Sequence, residues 1–275
     1  MTTFDVKPSN YVFVVDSPEN NATSPIATAG NGPTGPLRTT RWRAACHPRA
    51  REVCERVDRF YYNNWPFKSI DAKKKFLKTG IPRFACLSHP KAADDRIYFA
   101  CSLYTLLFLI DGSIPVEWIT YDLWKEMRTC DKDLTAEVFE STLDFMDAQT
   151  EQVRIDMQDF GQYLKYRDRD VGQGWDKEFN KSQESKEEGA VLCSAVKTLA
   201  DVSALSPAAA KRLLWTMVGE WEIQHEELHA QLIRSGEGYR GELGRYISAL
   251  EDLMSGHLHW SITTPRYGFS ESSDR

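Results

Sequence analysis

The chain has 275 residues and a mass of 31.5 kDa, enough for one substantial core or two small ones. Its 41% hydrophobic and 27% charged residues are typical of a globular protein. The formal net charge of −6, with charges interspersed along the chain, gives no sign of the basic face that a nucleic-acid partner requires, so we expect no such partner. No apolar run approaches the roughly 20 residues that span a bilayer, so we expect no membrane span.

The ends of the chain differ in composition from its middle. Residues 17–40 are rich in Pro, Gly, Asn, Thr and Ser, and such a segment buries too little surface to offset its ordering entropy. We therefore expect a disordered arm over 1–40, a folded domain over 41–268 and a polar tail over 269–275. The start lacks a signal peptide, and the six cysteines form no CxxC pair, which predicts reduced thiols and a cytoplasmic location.

The first helical signals of the folded domain lie between residues 94 and 164. Asp94 and Asp95 are suited to cap an apolar helix over 96–110, and Pro115 is suited to the first turn of a helix over 116–128. Apolar residues then recur near helical spacing across 134–164.

Further helices are predicted toward the C-terminus. Ser206 and Pro207 open a helix with an apolar stripe. The stripe consists of Leu214, Met217, Val218, Trp221, Leu228 and Leu232. Residues 239–254 form an amphipathic segment, for which Gly256 is a suitable stop. No alternating strand pattern is present, so the predicted fold class is all-α.

Residues 225–229 read His-Glu-Glu-Leu-His, which matches the HExxH pattern of zinc proteases. In that pattern the two histidines, His225 and His229, hold the metal from one helix face while Glu226 polarises a water molecule. The alternative without a metal site is an amphipathic helix whose polar side carries two histidines. A zinc protease is therefore a remote alternative function.

Three segments, in the same order, carry a resemblance to a known family. Residues 260–267 (WSITTPRY) resemble its terminal motif, 163–172 (YLKYRDRDVG) its diphosphate-sensing segment, and 94–111 the helix that ends in its aspartate-rich motif. Other stretches agree over 121–128, 145–150, 188–197 and 211–221. From about Trp42 to Tyr267 the chain is similar to fungal class I sesquiterpene cyclases of the aristolochene synthase type.

The resemblance implies an all-α terpenoid synthase fold and a defined chemistry. Farnesyl diphosphate would be the substrate, and diphosphate loss aided by three Mg²⁺ would leave an allylic cation that cyclises to a bicyclic sesquiterpene such as aristolochene. Arg167, Lys177, Arg266 and Tyr267 would contact the diphosphate, Arg266 and Tyr267 being the catalytic pair. Arginine suits this role because its planar fork makes paired, charge-assisted bonds to phosphate oxygens.

The resemblance also assigns the hydrocarbon cavity and the metal. Phe108, Phe145 and Trp260 would line the cavity, because aromatic faces stabilise carbocations. Taken alone, such residues at helical spacing are most often ordinary core. Asp111 and Glu178 would be the metal ligands, as hard oxygen donors that suit Mg²⁺.

The sequence departs from the family pattern in two blocks. Asp111 is followed by Gly-Ser-Ile-Pro in place of further acidic residues, so on the order of 30 residues, a helix and its loops, are absent. A comparable block is absent after Gly172, where only Glu178 of the third-metal motif remains. Ser88 also replaces an aromatic wall residue. We therefore expect an incomplete fold with two helical blocks missing and little or no cyclase activity.

Two function hypotheses from different classes follow for this chain. The first is an impaired sesquiterpene cyclase. The second is a non-catalytic helical descendant that binds a prenyl diphosphate or a partner. The sequence does not decide between a monomer and a homo-oligomer, and it does not identify the product.

Overall fold

The computed structural model describes residues 40–110, 117–150, 159–170, 195–235 and 241–265, and over these ranges it is helical with no strand. The helices are α1 (Ala50–Asn64), α2 (Ile70–Thr79), α3 (Ile81–Ser88), α4 (Ile97–Ile110), α5 (Glu117–Cys130), α6 (Lys132–Thr150), α7 (Phe160–Asp170), α8 (Ala195–Val202), α9 (Pro207–Ser235) and α10 (Glu242–Thr263). The predicted all-α class is confirmed. Within these ranges no helix is long and apolar enough to cross a membrane.

The chain divides into two compact units, which are described separately. The first unit contains α1 to α4 and α10, and its centre is α3, which packs against α1, α4 and α10. Ser69 begins α2, because its side chain accepts a hydrogen bond from the backbone N–H of Ala72 at 3.0 Å. Gly80 joins α2 to α3 with a φ of 65°, a left-handed conformation that favours glycine.

Helices α3 and α10 approach each other closely at Gly256. A Cβ atom built on Gly256 would lie 2.1 Å from the carbonyl oxygen of Leu87, so only glycine allows this distance between the backbones. The predicted helix stop at Gly256 is wrong, because α10 continues to Thr263. This glycine serves helix packing instead of ending the helix.

The second unit contains α5 to α9. Helices α5 and α6 form a pair in which the rings of Trp124 and Phe139 lie 5.8 Å apart. Helices α7, α8 and α9 share a separate core cluster, in which Tyr163, Leu199 and Leu214 are buried. Tyr163 of α7 is only 1% exposed, so this aromatic side chain fixes α7 in the unit.

The apolar stripe predicted for α9 is buried only in part. Leu214 is fully buried, whereas Leu228 is 65% exposed and Trp221 37% exposed. Helix lengths explain the difference, because 29 residues of α9 extend over about 43 Å and the 8 residues of α8 over about 12 Å. Its neighbour α8 therefore covers only part of α9.

Helix boundaries agree with the sequence for α4, α5 and the start of α9. Asp94 and Asp95 lie in the turn before α4, and a carboxylate oxygen of Asp94 is 3.6 Å from Nε2 of His47. The continuous segment expected over 134–164 is described as α6 and α7, with residues 151–158 outside the described residues. The predicted arm, apart from Thr40, and the predicted tail also lie outside them.

Candidate active site

Two of the three predicted cavity aromatics lie together in the first unit. Phe84, Tyr104, Phe108 and Trp260 form what we call the aromatic cluster, with Phe84 at its centre. The ring of Phe84 lies 5.0 Å from Trp260, 5.9 Å from Phe108 and 5.2 Å from Tyr104. The Phe108 and Trp260 rings are 6.0 Å apart. These separations fall within the range of favourable edge-to-face and tilted aromatic pairs.

Hydrogen bonds hold the C-terminal end of α10 against the junction of α2 and α3. The indole Nε1–H of Trp260 donates to the carbonyl oxygen of Gly80 at 3.0 Å, and the hydroxyl of Thr264 donates to that of Thr79 at 2.8 Å. The guanidinium of Arg83 donates to the hydroxyl of Thr263 at 2.9 Å. The chain thus leaves α10 from a fixed point two residues before Arg266.

His89 borders the aromatic cluster and pairs with one of its members, Tyr104. Nε2 of His89 lies 3.1 Å from the hydroxyl of Tyr104, and their rings are 5.6 Å apart. Burial lowers the pKa of His89 and the Asp252 carboxylate opposes that shift, so the imidazole is favoured in its neutral form. Asp252 is itself paired with Lys91 at 2.7 Å.

Ser88, which the sequence identified as a departure from the family, is buried at the end of α3, with 1% exposure. Its Oγ finds no hydrogen-bond partner among the described residues. The sequence therefore located a polar position in the interior, but it did not identify the neighbouring pair of His89 and Tyr104. No local pattern identifies that pair, because its members are 15 residues apart and belong to different elements.

The second unit carries two further predicted site residues. Phe145 lies in α6 and Arg167 in α7, and the side chains of both are outside the described part of the structure. Arg167 follows the buried Tyr163 by four residues in the same helix. The structure therefore gives Arg167 a helical backbone in a packed element.

The remaining predicted site residues lie outside the described ranges. They are Asp111, Lys177, Glu178, Arg266 and Tyr267. Asp111 follows Ile110, the last residue of α4, directly in the chain. The roles assigned to these five residues, including both proposed Mg²⁺ ligands, remain predictions.

The two histidines of the HExxH pattern lie on one helix. His225 and His229 are one turn apart on α9, with ring centroids separated by 6.3 Å. Histidines at this spacing are neighbours on any helix surface. The spacing alone therefore does not distinguish a metal site from an amphipathic helix.

Comparison with known proteins identifies the fold. The crystal structure of aristolochene synthase from Penicillium roqueforti matches 82% of this chain and 99% of that chain, with a TM-score of 0.65 and 34% identity. A linalool/nerolidol synthase from Streptomyces clavuligerus has the same TM-score at 14% identity and supports the fold alone. The all-helical fold is that of a class I terpene cyclase.

Sequence relatives identify the family. Aristolochene synthase from Penicillium roqueforti is 36% identical over 298 residues, which covers 83% of this chain and 87% of the relative. Aristolochene synthase from Aspergillus terreus is 35% identical over 292 residues, covering 81% of this chain and 91% of the relative. No family model matches the chain. The chain belongs to the aristolochene synthase family of sesquiterpene cyclases, as the resemblance predicted.

Proposed function

We propose that this chain binds farnesyl diphosphate in the manner of a class I sesquiterpene cyclase. We also propose that, without the two missing blocks, it forms little or no cyclic product. One observation carries both parts of the proposal. The chain aligns with the aristolochene synthases over most of its length. The part of this chain that aligns, however, contains far fewer residues than the alignment has positions.

The length difference is large. The alignment with the Penicillium roqueforti enzyme covers 298 positions, whereas 83% of 275 residues is about 228. About 70 positions of the relative therefore have no counterpart in this chain. This number supports the two missing blocks that the sequence predicts after Asp111 and after Gly172, each long enough for a helix and its loops.

Exposed apolar side chains in the second unit support the same proposal. On α5, which follows the first predicted gap, Trp118 is 48% exposed and Tyr121 59% exposed. Single exposed apolar side chains are normal, but two neighbouring exposed aromatics beside a predicted gap are what the loss of a covering helix would leave.

The aromatic cluster fits the hydrocarbon half of the substrate. Phe108 and Trp260 are the predicted cavity residues, and both lie against Phe84. An aromatic face attracts a cation by about 0.5–1 kcal/mol at an exposed site and by about 2 kcal/mol when water is excluded. Trp260 and Phe84 are buried, at 0% and 3% exposure, so the partly exposed rings of Tyr104 and Phe108 are the ones that would face an allylic cation.

The diphosphate half of the site is proposed from the resemblance. Arg167, Lys177, Arg266 and Tyr267 would bind phosphate oxygens, and Mg²⁺ would assist departure of the diphosphate. Asp111 and Glu178 are the two carboxylates left to hold metal. Because each Mg²⁺ needs six oxygen ligands in near-octahedral geometry, two carboxylates leave three ions dependent on water and substrate.

The non-catalytic descendant is the second candidate, and the same shortening favours it. In that case the chain binds a prenyl diphosphate without turnover. We also propose a cytoplasmic location, in keeping with the free thiols of the described cysteines, which are typical of a reducing compartment. The family assignment gives the zinc protease no support.

Binding and turnover are tested separately. Calorimetric titration of the whole chain with farnesyl diphosphate and Mg²⁺ is expected to show binding that Arg167→Ala weakens. Lys165→Ala is the matched control, because Lys165 is an exposed cation on the same helix and is expected to leave binding unchanged. Absence of binding by folded protein, or equal loss in both variants, would refute the proposed diphosphate site.

A further inference from the structure

A concentration of positive charge distinguishes one stretch of the first unit from the rest of the chain. Residues 59–93, which include α2 and α3, contain eight lysines and arginines and one acidic residue, Asp71. The stretch therefore carries a formal net charge of +7, whereas the whole chain carries −6. An acidic protein with one basic stretch turns that stretch toward an anionic partner, because its other surfaces are repelled.

Helix α2 displays much of this charge on its outward side. Phe76 and Thr79 are the buried residues of the helix. Ile70, Lys74 and Lys78 are exposed and follow one another at intervals of four residues. Residues four apart are neighbours on a helix surface, so these three side chains form one row, which we call the outer row of α2.

Further lysines extend the basic surface beside the outer row. Lys68, just before the helix, and Lys75, within it, are both exposed. The carboxylate of Asp71 lies 3.6 Å from the ammonium group of Lys74, and these side chains are 92% and 68% exposed. A surface pair of this kind contributes little, so one carboxylate does not neutralise four exposed lysines.

The apolar member of the outer row indicates the kind of partner. Ile70 is 70% exposed, the highest value for a large apolar side chain among the described residues. Lysines on an amphipathic helix attract anionic lipid headgroups, and an exposed apolar side chain beside them inserts at the boundary between headgroups and acyl chains. A polynucleotide would contact the lysines but would gain nothing from Ile70. The combination therefore favours a lipid surface.

We propose that the outer row of α2, together with Lys68 and Lys75, binds the anionic surface of a membrane. The contact is peripheral and reversible, because a few lysines and one apolar side chain supply far less affinity than a spanning helix. This surface is separate from the proposed diphosphate site, and its binding does not depend on cyclase activity.

Sedimentation of the whole chain with lipid vesicles tests the proposal. Vesicles of phosphatidylcholine with roughly one-third phosphatidylserine are compared with vesicles of phosphatidylcholine alone, and binding to the anionic vesicles is expected. Each lysine near an anionic surface contributes about fivefold, so Lys74→Gln combined with Lys78→Gln is expected to weaken binding by about 30-fold. Ile70→Ser removes the inserted apolar side chain and is expected to weaken binding by about tenfold.

Lys125→Gln combined with Lys132→Gln is the matched control. Both lysines are exposed on α5 and α6 of the second unit, and the pair removes the same charge from the chain. This control is expected to leave vesicle binding unchanged, and circular dichroism checks that every variant is folded. Absence of binding to the anionic vesicles, equal loss in the control, or unchanged binding by Ile70→Ser would overturn the proposal. Binding to a single-stranded polynucleotide without binding to vesicles would overturn it as well.

Discussion

The contact between α3 and α10 at Gly256 gives the sharpest test of the first unit. Replacing Gly256 with alanine adds one methyl group at the point where it would lie 2.1 Å from the carbonyl oxygen and 2.4 Å from the carbonyl carbon of Leu87. Backbone atoms cannot rotate away as a side-chain end can. The two helices must therefore separate for the methyl group to fit.

The size of the effect follows from two opposing terms. Non-bonded carbon and oxygen atoms need more than about 3 Å, so α3 and α10 must move apart by about 1 Å, an overpacking that costs about 1–3 kcal/mol or more. Alanine favours the helical backbone over glycine by about 1 kcal/mol. Because the clashing atoms of Leu87 are backbone atoms, the upper end of that range, about 3 kcal/mol, applies, and we expect Gly256→Ala to lower the free energy of unfolding by about 2 kcal/mol. Because Trp260 is one turn further on, its bond to Gly80 is expected to lengthen as well.

Urea unfolding followed by circular dichroism measures this change. Gly161→Ala is the matched control, since a Cβ at this helical glycine would meet only the flexible carboxylate of Asp159, at 3.1 Å. The control is expected to change the free energy of unfolding by less than about 1 kcal/mol. A Gly256→Ala protein as stable as the parent would refute the close approach of α3 and α10.

Two further predictions concern the surroundings of the aromatic cluster. Trp260→Phe removes the indole donor, while the Gly80 carbonyl keeps its hydrogen bond from the backbone N–H of Phe84, so we expect a loss of about 1 kcal/mol in urea unfolding. Trp221→Phe, at a partly exposed position of α9, should cost less than about 0.5 kcal/mol. The pKa of His89 is lowered by burial, so its contribution to stability is present above the unfolded value of about 6.5 and is lost as the pH falls below it. Between pH 7 and pH 5 the parent should therefore lose more stability than His89→Gln, and equal losses would contradict the burial of a neutral imidazole.

Local sequence patterns predicted the helices but not their packing. Start signals at Pro115 and Pro207, together with the apolar run before Ile110, gave boundaries within two residues of those observed. The helix end predicted at Gly256 was wrong, because a single sequence does not distinguish a glycine that ends a helix from one that lets a neighbouring backbone approach. Only the contact with Leu87 separates these two roles.

The same limit applies to the candidate site. The family resemblance assigned Phe108 and Trp260 to one cavity, and their rings lie 6.0 Å apart despite a separation of 152 residues, but their role in a cavity stays a prediction. The pair of His89 and Tyr104 depends on how the end of α3 packs against α4, which no local pattern encodes. The stripe on α9 was predicted from periodicity, which gives the apolar face but not how much of it a neighbour covers.

The most direct test of the central claim compares product formation by two chains. One is the chain as printed, and the other carries the unmatched segments of the Penicillium roqueforti enzyme after Asp111 and after Gly172. Each is incubated with farnesyl diphosphate and Mg²⁺, and volatile hydrocarbons are measured by gas chromatography with mass detection. We predict a bicyclic sesquiterpene from the restored chain and none above the no-protein control from the printed chain. Equal product from both would contradict the claim that the missing blocks carry the metal-binding apparatus.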